Sequence, residues 1–173
     1  MFQPDLSFIH KYFVGEKQES LLFLIVGITA MLVSVIFFFF VKTHPSFYKG
    51  AAFPLFFLGL LLGVVGYTVY ARSDQQRMDV AYKMGLDPKG FVQNEEGPRM
   101  DKVMKNFVIY RYVEIGLALA GLFLFFYFKN DPARVFWKGF GITMAIMALI
   151  ALGADYFAEK RGREYVAQFK GYR

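Results

Sequence analysis

Four long stretches of apolar residues, separated by short polar links and one longer polar segment, organise this chain. The first stretch, residues 21–41, reads LLFLIVGITAMLVSVIFFFFV and contains no charged side chain. An α-helix of this length rises about 31 Å, which matches the hydrocarbon thickness of a bilayer. Three further stretches of the same kind follow. The pattern therefore predicts an all-α membrane protein, built as a bundle of four transmembrane helices.

Residues that begin or end helices place the boundaries of the four spans. Pro45 and Gly50 lie in the short first link. Asp131 and Pro132 are typical of the N-cap and first residue of a helix, here the last one. We expect helices at about 21–41, 51–84, 98–128 and 132–158, within a single integral membrane domain that covers residues 1–173.

The longest polar segment, residues 72–106, joins the second and third spans. Its first part lacks a helix breaker, so we expect it to extend the second helix out of the membrane as far as Gly85. A turn is predicted at Asp87 and a loop at residues 94–97. Pro98 then begins the third helix, which continues into the membrane.

The beginning of the chain repeats apolar residues at helical spacing. Leu6, Ile9 and Phe13 fall on one face of residues 4–13, and Gly15 follows as a helix stop. This pattern predicts a short N-terminal helix that lies in the membrane interface, with a frayed tail as the alternative. A cleavable signal peptide is not expected, because about twenty mixed residues precede an apolar run of full spanning length.

Composition and charge agree with lipid as the surrounding solvent. Hydrophobic residues make up 56% of the chain, and 22 of its residues are Phe, more than a water-soluble domain of this size usually contains. The net charge of +6 comes from basic residues that flank the apolar stretches, where they anchor helices and contact anionic headgroups. We therefore expect membrane lipids, and no nucleic acid, as partners.

The distribution of basic residues predicts the orientation. Four spans place both termini and residues 72–106 on one side, which carries fourteen Lys and Arg residues, against five in the two links on the other side. The positive-inside rule then predicts that both termini are cytoplasmic. The bacterial inner membrane is the expected location.

Three ionisable residues lie inside the apolar stretches: Arg111 and Glu114 in the third span and Asp155 in the fourth. Such groups are costly in lipid and usually face other helices. The short link between these spans makes them antiparallel neighbours, so we expect Arg111 to pair with Asp155, with Glu114 or with both. The predicted polar cluster is completed by residues at the same depth: Tyr67, Tyr70, Arg72, Asp74 and Tyr110. Two interpretations stay open, a structural girdle and a binding or conduction site.

Small residues occupy the faces on which the helices are expected to pack. Gly59 and Gly63 in the second span match the small-xxx-small pattern of closely packed membrane helices. The third and fourth spans carry further small residues at helical spacing: Ala118 and Gly121 in one, and Gly141, Ala145 and Ala148 in the other. An antiparallel arrangement places Gly121 near Ala148. Packing within the chain is the favoured interpretation, and a homo-oligomer is the alternative.

The residues of common active sites and metal sites are missing from the sequence or separated in it. The chain has no Cys, which excludes disulfides, thiolate nucleophiles and cysteine-based metal sites. Its two histidines, His10 and His44, fall on opposite sides of the membrane in this topology. No nucleophile elbow or phosphate-binding loop appears. We therefore expect no catalytic residues, no metal and no cofactor.

The size of the chain, its four spans, its inward termini and its short outer links resemble the larger immunity proteins against pore-forming bacteriocins of the colicin A type. The resemblance is one of overall topology and transfers no functional residue. It implies a protein that acts by binding another protein within the membrane, namely a toxin. Similar four-helix proteins are accessory subunits of membrane complexes, so such a complex is the other expected partner.

Two further functions remain open at this point. A small ion or solute transporter or channel would use Arg111, Glu114 and Asp155 as gating or substrate residues. A lipid-phosphate enzyme at the inner surface would hold phosphate with Arg72, Arg77 and Arg111 and use Asp74 or Glu114 as a base. The sequence ranks protein binding first, transport second and lipid chemistry third.

Overall fold

Helices account for nearly all of residues 6–172, the part of the chain that this computed structural model describes. The four long helices are α1 (Ser7–Phe39), α2 (Pro45–Leu86), α3 (Gly97–Phe128) and α4 (Val135–Ala167). Each contains a segment long enough and apolar enough to cross a membrane, and no strand occurs among the described residues. The prediction of an all-α four-helix bundle is confirmed, and the composition of the helices defines an integral membrane protein.

The helices form two hairpins. α1 packs along α2, α3 packs along α4, and the hairpins meet mainly through α2 and α4. α3 makes no extensive contact with α1 or α2, so a gap is left on that side. The end of the bundle with links 40–44 and 129–134 is called the link end below. The opposite end, which carries both chain termini and the segment between α2 and α3, is called the terminal end.

Glycines bring α1 and α2 together. The backbone of Gly27 in α1 lies against Gly59 and Gly63 in α2, and a Cβ atom at Gly27 would overlap both. The Cβ atom of Ala30 would similarly meet a side chain at Gly59, 2.9 Å away. Without side chains at these positions, the two backbones approach closely enough for dispersion contacts along the seam. The predicted packing role of Gly59 and Gly63 is therefore fulfilled within the chain.

The second hairpin has a similar seam, with a shifted point of closest approach. A Cβ atom at Gly121 would lie 2.6 Å from the carbonyl oxygen of Gly141 and 2.7 Å from the amide nitrogen of Ala145. The sequence predicts Gly121 near Ala148, about two turns further from the link end than Gly141. The helices come closest at Gly121 and Gly141 because neither residue has a side chain to hold them apart. Ala118 and Ala148 are buried beside this crossing.

A second pair of glycines joins the two hairpins at the link end. Gly50 of α2 lies against the carbonyl oxygen of Phe136, and Gly139 of α4 lies against the carbonyl oxygen of Phe47. A Cβ atom at either glycine would overlap the facing oxygen. This reciprocal contact, called the glycine crossing below, fixes α2 to α4 where both helices approach the links.

The terminal end has a compact apolar core of its own, called the terminal core below. Its buried members come from the four long helices and from the segments that follow α2 and α4: Ile9, Tyr12, Phe13, Val80, Met84, Phe91, Val92, Met100, Tyr165 and Phe169. The Tyr12 ring stacks on the Tyr165 ring with centroids 4.2 Å apart. This core ties the two hairpins together at the end opposite the glycine crossing.

The terminal core corrects the prediction of a separate interfacial helix. Residues 7–20 are the first turns of α1 and continue into the apolar span without a break. Gly15 is no helix stop: a Cβ atom there would lie 2.8 Å from Cδ of Arg161 in α4, so the glycine allows close packing. Phe13 is almost completely buried against the terminal core. Residues 4 and 5 of the predicted helix lie outside the described part.

The segment between α2 and α3 is more ordered than the sequence indicates. α2 ends at Leu86, as expected, and the Asp87 side chain accepts a hydrogen bond from the Gly90 amide at 3.0 Å to cap the short helix Pro88–Phe91. The predicted loop at residues 94–97 is wrong. Residues 92–96 form a π-helical turn that leads into α3. This conformation buries the side chains of Val92 and Glu96 at the terminal end.

Glu96 is held there by a complete set of donors. Arg99 donates from Nε and Nη2 to its two carboxylate oxygens, each at 2.7 Å. The Tyr165 hydroxyl donates to Oε1 at 2.7 Å. Burial and the Glu96 charge raise the pKa of Tyr165 well above its ordinary value, so this hydroxyl keeps its proton and remains a donor.

Candidate functional site

The gap between the hairpins is a cavity of about 280 Å³, called the crevice below. α2 contributes four aliphatic side chains, α3 and α4 form the facing wall, and α1 adds Phe23. The crevice exists because α4 presents the small residues Ala148 and Ala151 towards α2. Most of its lining is apolar: Phe23, Leu58, Leu61, Leu62, Val65, Val113, Leu117, Met147, Ala148 and Ala151.

Two carboxyl groups interrupt this apolar lining. Glu114 of α3 and Asp155 of α4 both line the crevice, are half-buried and lie close enough to interact with each other. Glu114 Oε2 is shielded from solvent and receives no hydrogen bond from any donor in the described residues. Two facing carboxylates repel each other and can share a hydrogen bond only if one of them carries a proton. The crevice therefore contains an acidic pair without an internal partner.

The expected pairing of Arg111 with this acidic pair is wrong. Arg111 forms its ion pair with Glu159 of α4. Glu114 lies one helical turn from Arg111 on α3, and Asp155 lies one turn from Glu159 on α4. The two residue pairs between the helices therefore lie in successive turns of the hairpin. Glu114 therefore faces Asp155, and Arg111 lies one turn nearer the terminal end.

Glu159 also binds a second arginine. Arg163 donates from Nε to Glu159 Oε1 at 3.0 Å, and the Glu159 side chain is only 5% exposed. One carboxylate thus holds an arginine from each helix of the second hairpin. The Glu159 carboxylate is therefore satisfied by arginines of this chain.

A second pocket of about 260 Å³ adjoins the crevice on its terminal side. The two share Phe23, Val65, Tyr110 and Asp155 as lining residues. The lining of this terminal pocket is more polar and includes Glu16, Glu19, Arg72, Asn106 and Arg161. Arg161 is ion-paired with Glu19. Asp155 and Tyr110 therefore stand at the boundary between a polar pocket and an apolar one.

The crevice also opens sideways between α2 and α3. Leu61 and Val65 on α2 remain 59% and 44% exposed, and Tyr110 and Val113 on α3 remain 50% and 54% exposed, although all four line the crevice. Their exposed surface belongs to the apolar part of the bundle, which lipid would cover. A ligand could thus reach the acidic pair from the lipid phase or from the terminal pocket.

The remaining residues of the predicted polar cluster lie elsewhere. Tyr67 is 64% exposed and lines neither pocket. The ammonium group of Lys17 lies 4.8 Å from the centre of the Tyr70 ring and pairs with Asp74. These contacts join α1 to α2 within the first hairpin. Of the predicted cluster, Glu114, Asp155 and Tyr110 line the crevice, and Arg72 lines the terminal pocket.

Glu16, Glu19 and Arg161 were missed as pocket residues. Their signal in the sequence was weak: two carboxylates one turn apart just before an apolar span, and an arginine one turn beyond the end expected for the last helix. No group of three or more metal-ligating side chains is present in residues 6–172.

Comparison with known proteins identifies no relative. No family model, curated protein or solved structure matches the chain. The fold and site themselves define the class: a four-helix integral membrane protein with an acid-lined crevice between two hairpins.

Proposed function

We propose that the protein is a small solute carrier that binds an organic molecule in the crevice between its hairpins. The observation that carries this proposal is the crevice itself, an apolar cavity at membrane depth with a carboxyl pair in its wall. Ligand sites in proteins are typically apolar clefts with a few convergent polar groups, and their volumes begin near 300 Å³. The crevice is close to that size and has that composition.

A carrier fits the distribution of polar residues better than a channel. An ion channel needs polar groups along the whole path through the membrane. Here polar side chains extend from the terminal pocket to Asp155 and Glu114, and the rest of the crevice lining is apolar. A solute bound at this level would complete its passage only when the helices rearrange, as in carriers.

The other two functions gain less from the geometry. A lipid-phosphate enzyme would need Arg72, Arg77 and Arg111 free at one place. Arg111 is bound to Glu159 and Arg77 lies 3.6 Å from Asp74, so only Arg72 of the three lacks an ion pair among the described residues. Binding to a toxin or to a complex subunit stays a prediction, because the exposed apolar faces of the bundle are those that any lipid-covered helix presents.

A cavity-filling variant tests the proposal. Ala151→Phe places a ring in the crevice from α4, and Ala120→Phe makes the same change at an exposed position of α3 that does not line the crevice. Uptake of a panel of labelled organic solutes would be measured in liposomes that contain only this protein. We expect uptake of at least one solute by the unmodified protein, its loss in Ala151→Phe and its retention in Ala120→Phe. Equal uptake by both variants, or no uptake above empty liposomes, would contradict the proposal.

A further inference from the structure

We propose that the ligand of the crevice is a lipophilic monovalent organic cation, whose positive group is held by Glu114 and Asp155 in exchange for a proton. This inference rests on the proposed function and specifies the chemical class of the solute. It follows from the charges around the crevice, the chemistry of its walls and the two openings described above.

The charge balance inside the bundle calls for a cation from outside. Two arginines close to the acidic pair are committed elsewhere, Arg111 to Glu159 and Arg161 to Glu19. No Lys or Arg nitrogen of the described residues lies within ion-pair distance of Glu114 or Asp155. A pair of adjacent carboxyl groups in apolar surroundings is stabilised either by a shared proton or by a bound cation. The two forms compete for the same oxygens.

The net charge of the carboxyl pair determines the charge expected of the ligand. With one proton shared, the pair keeps a single negative charge, and release of that proton on binding leaves two negative charges to share one positive group. One cation enters and one proton leaves, so the total charge of the site is unchanged. Exchange of this kind carries no net charge across the membrane, so a concentration gradient of protons, and not the electrical potential, drives movement of the solute.

The walls determine what surrounds the positive group. Leu61 of α2 and Val113 of α3 line the crevice and offer no hydrogen bond to a hydration shell, and Met147 of α4 offers only a weak acceptor. A hydrated inorganic ion would lose water there without replacement, whereas an organic cation has an apolar body that gains from burial. The exposed flanks of Leu61 and Val113 between α2 and α3 give such a molecule an entrance from lipid.

The other charged groups near the pair come from α1, α3 and α4. α1 brings Glu16 and Glu19 from the terminal pocket, and Glu19 is neutralised by Arg161 of α4. α3 brings Arg111, which is bound to Glu159, and the neutral Tyr110 hydroxyl. Towards the crevice, α2 presents aliphatic side chains, and its Arg72 lines the terminal pocket instead. The groups that face Glu114 and Asp155 therefore leave the pair as the acidic centre of the crevice.

A permanent cation and its uncharged isostere provide the test. Benzyltrimethylammonium carries a fixed positive charge on an apolar body, and neopentylbenzene has the same shape with carbon in place of nitrogen. Binding of each to the purified full-length protein in detergent would be measured by calorimetry from about pH 5 to pH 8, because a shared proton and the cation compete for the same carboxylate oxygens. We expect the cation to bind more tightly as pH rises, with release of one proton, and the isostere to bind equally at every pH.

Two charge-removing variants locate the site. Glu114→Gln and Asp155→Asn should each weaken binding of the cation by about tenfold or more and reduce its pH dependence, while the isostere still binds and reports an intact crevice. Asp101→Asn, at an exposed position of α3, is the matched control and should leave both ligands unaffected.

The outcomes separate the two proposals. If the isostere binds and the cation does not, or if cation binding ignores pH and both variants, the cation class is wrong and the crevice remains a solute site. If neither molecule binds to the unmodified protein and uptake is also absent in liposomes, the proposed function itself fails. If one variant loses isostere binding, its crevice is altered, and the other variant then decides whether the carboxyl pair holds the cation.

Discussion

Arg111 and Glu159 form an ion pair that joins α3 to α4 one turn away from the facing carboxyl groups of Glu114 and Asp155. The consequence is a separation of roles within a few residues. The turn with Arg111 and Glu159 satisfies its charges inside the chain and holds the hairpin together. The turn with Glu114 and Asp155 leaves its carboxyl groups without a cation. A stability measurement should therefore distinguish the two turns.

Arg111→Ala should destabilise the second hairpin. The substitution leaves the buried Glu159 carboxylate with Arg163 alone, and an incompletely satisfied buried acceptor costs about 1–3 kcal/mol in the free energy of unfolding. Arg134→Ala serves as control, since Arg134 is 57% exposed and its contact with Asp131 is a surface pair, worth about 0–1 kcal/mol. Thermal unfolding in mild detergent would compare the two. Equal midpoints would show that the Arg111–Glu159 pair adds nothing.

Gly139→Ala should separate the hairpins at the link end. The added methyl group would overlap the carbonyl oxygen of Phe47, and backbone shifts of this kind cost about 1–3 kcal/mol. Gly153→Ala is the matched control on the same helix, because a Cβ atom there meets nothing within 4 Å; it should stabilise α4 by about 0.5–1 kcal/mol. Opposite shifts of the unfolding midpoint are expected. A neutral or stabilising Gly139→Ala would contradict the glycine crossing.

Tyr165→Phe should weaken the terminal core while preserving its shape. The phenyl ring keeps the stacking on Tyr12, but the Glu96 carboxylate loses a hydrogen bond of 2.7 Å, at a cost of about 1–2 kcal/mol. Tyr112→Phe, at a position that is 71% exposed, should have almost no effect. Hydrogen exchange at the beginning of α1 and the end of α4 would report the difference. Unchanged protection there in Tyr165→Phe would argue against the role given to Glu96.

Alkaline pH should loosen the same core. Burial raises the pKa of Tyr12 from 10.0 to about 12 and also raises that of Tyr165. A pKa that is higher in the folded state than in the unfolded state contributes stability below about pH 10, and this contribution is lost as pH rises above that value. The free energy of unfolding should therefore fall between about pH 10 and pH 12. The fall should be smaller in Tyr165→Phe; the same slope in both proteins would contradict this assignment.

The orientation remains a prediction from charge alone. Fusions of a fluorescent protein and of alkaline phosphatase to the C-terminus would check it, since the first folds in the cytoplasm and the second becomes active outside. We expect fluorescence and no phosphatase activity. Phosphatase activity would reverse the assignment of both termini.

The spans could be predicted because each depends on its own residues. An uninterrupted apolar run of about twenty residues has to be helical in lipid, whatever its neighbours are. The continuation of α2 to Leu86 was equally local, since nothing before Gly85 breaks the helix. Packing glycines such as Gly59 were found because small residues at helical spacing serve close approach in membranes.

The terminal core could not be predicted in this way. Ile9 and Phe13 pack with Met100 and Phe169, which are far away in the sequence. Without these partners, an amphipathic segment before the first span is typical of an interfacial helix. The pattern identified the apolar face correctly, but the surface that covers this face is formed only when both hairpins are in place.

The partner of Arg111 and the crevice depend on the crossing of the helices. Asp155 and Glu159 lie on the same face of α4, so helical spacing alone offers Arg111 both carboxylates. The actual pairing follows from the close contact at Gly121 and Gly141, which sets how the two helices are aligned. The crevice is a volume that side chains leave unfilled between helices, and a volume of this kind has no signature in a single sequence.

The glycine crossing limits which substitutions relatives of this chain can carry. Gly50 and Gly139 each face a main-chain oxygen, so any descendant that keeps the hairpins joined in this way has to retain glycine at both sites. Lipid-facing positions can exchange one apolar residue for another freely. A distant relative should therefore be easier to recognise by these two glycines than by the overall resemblance of the spans.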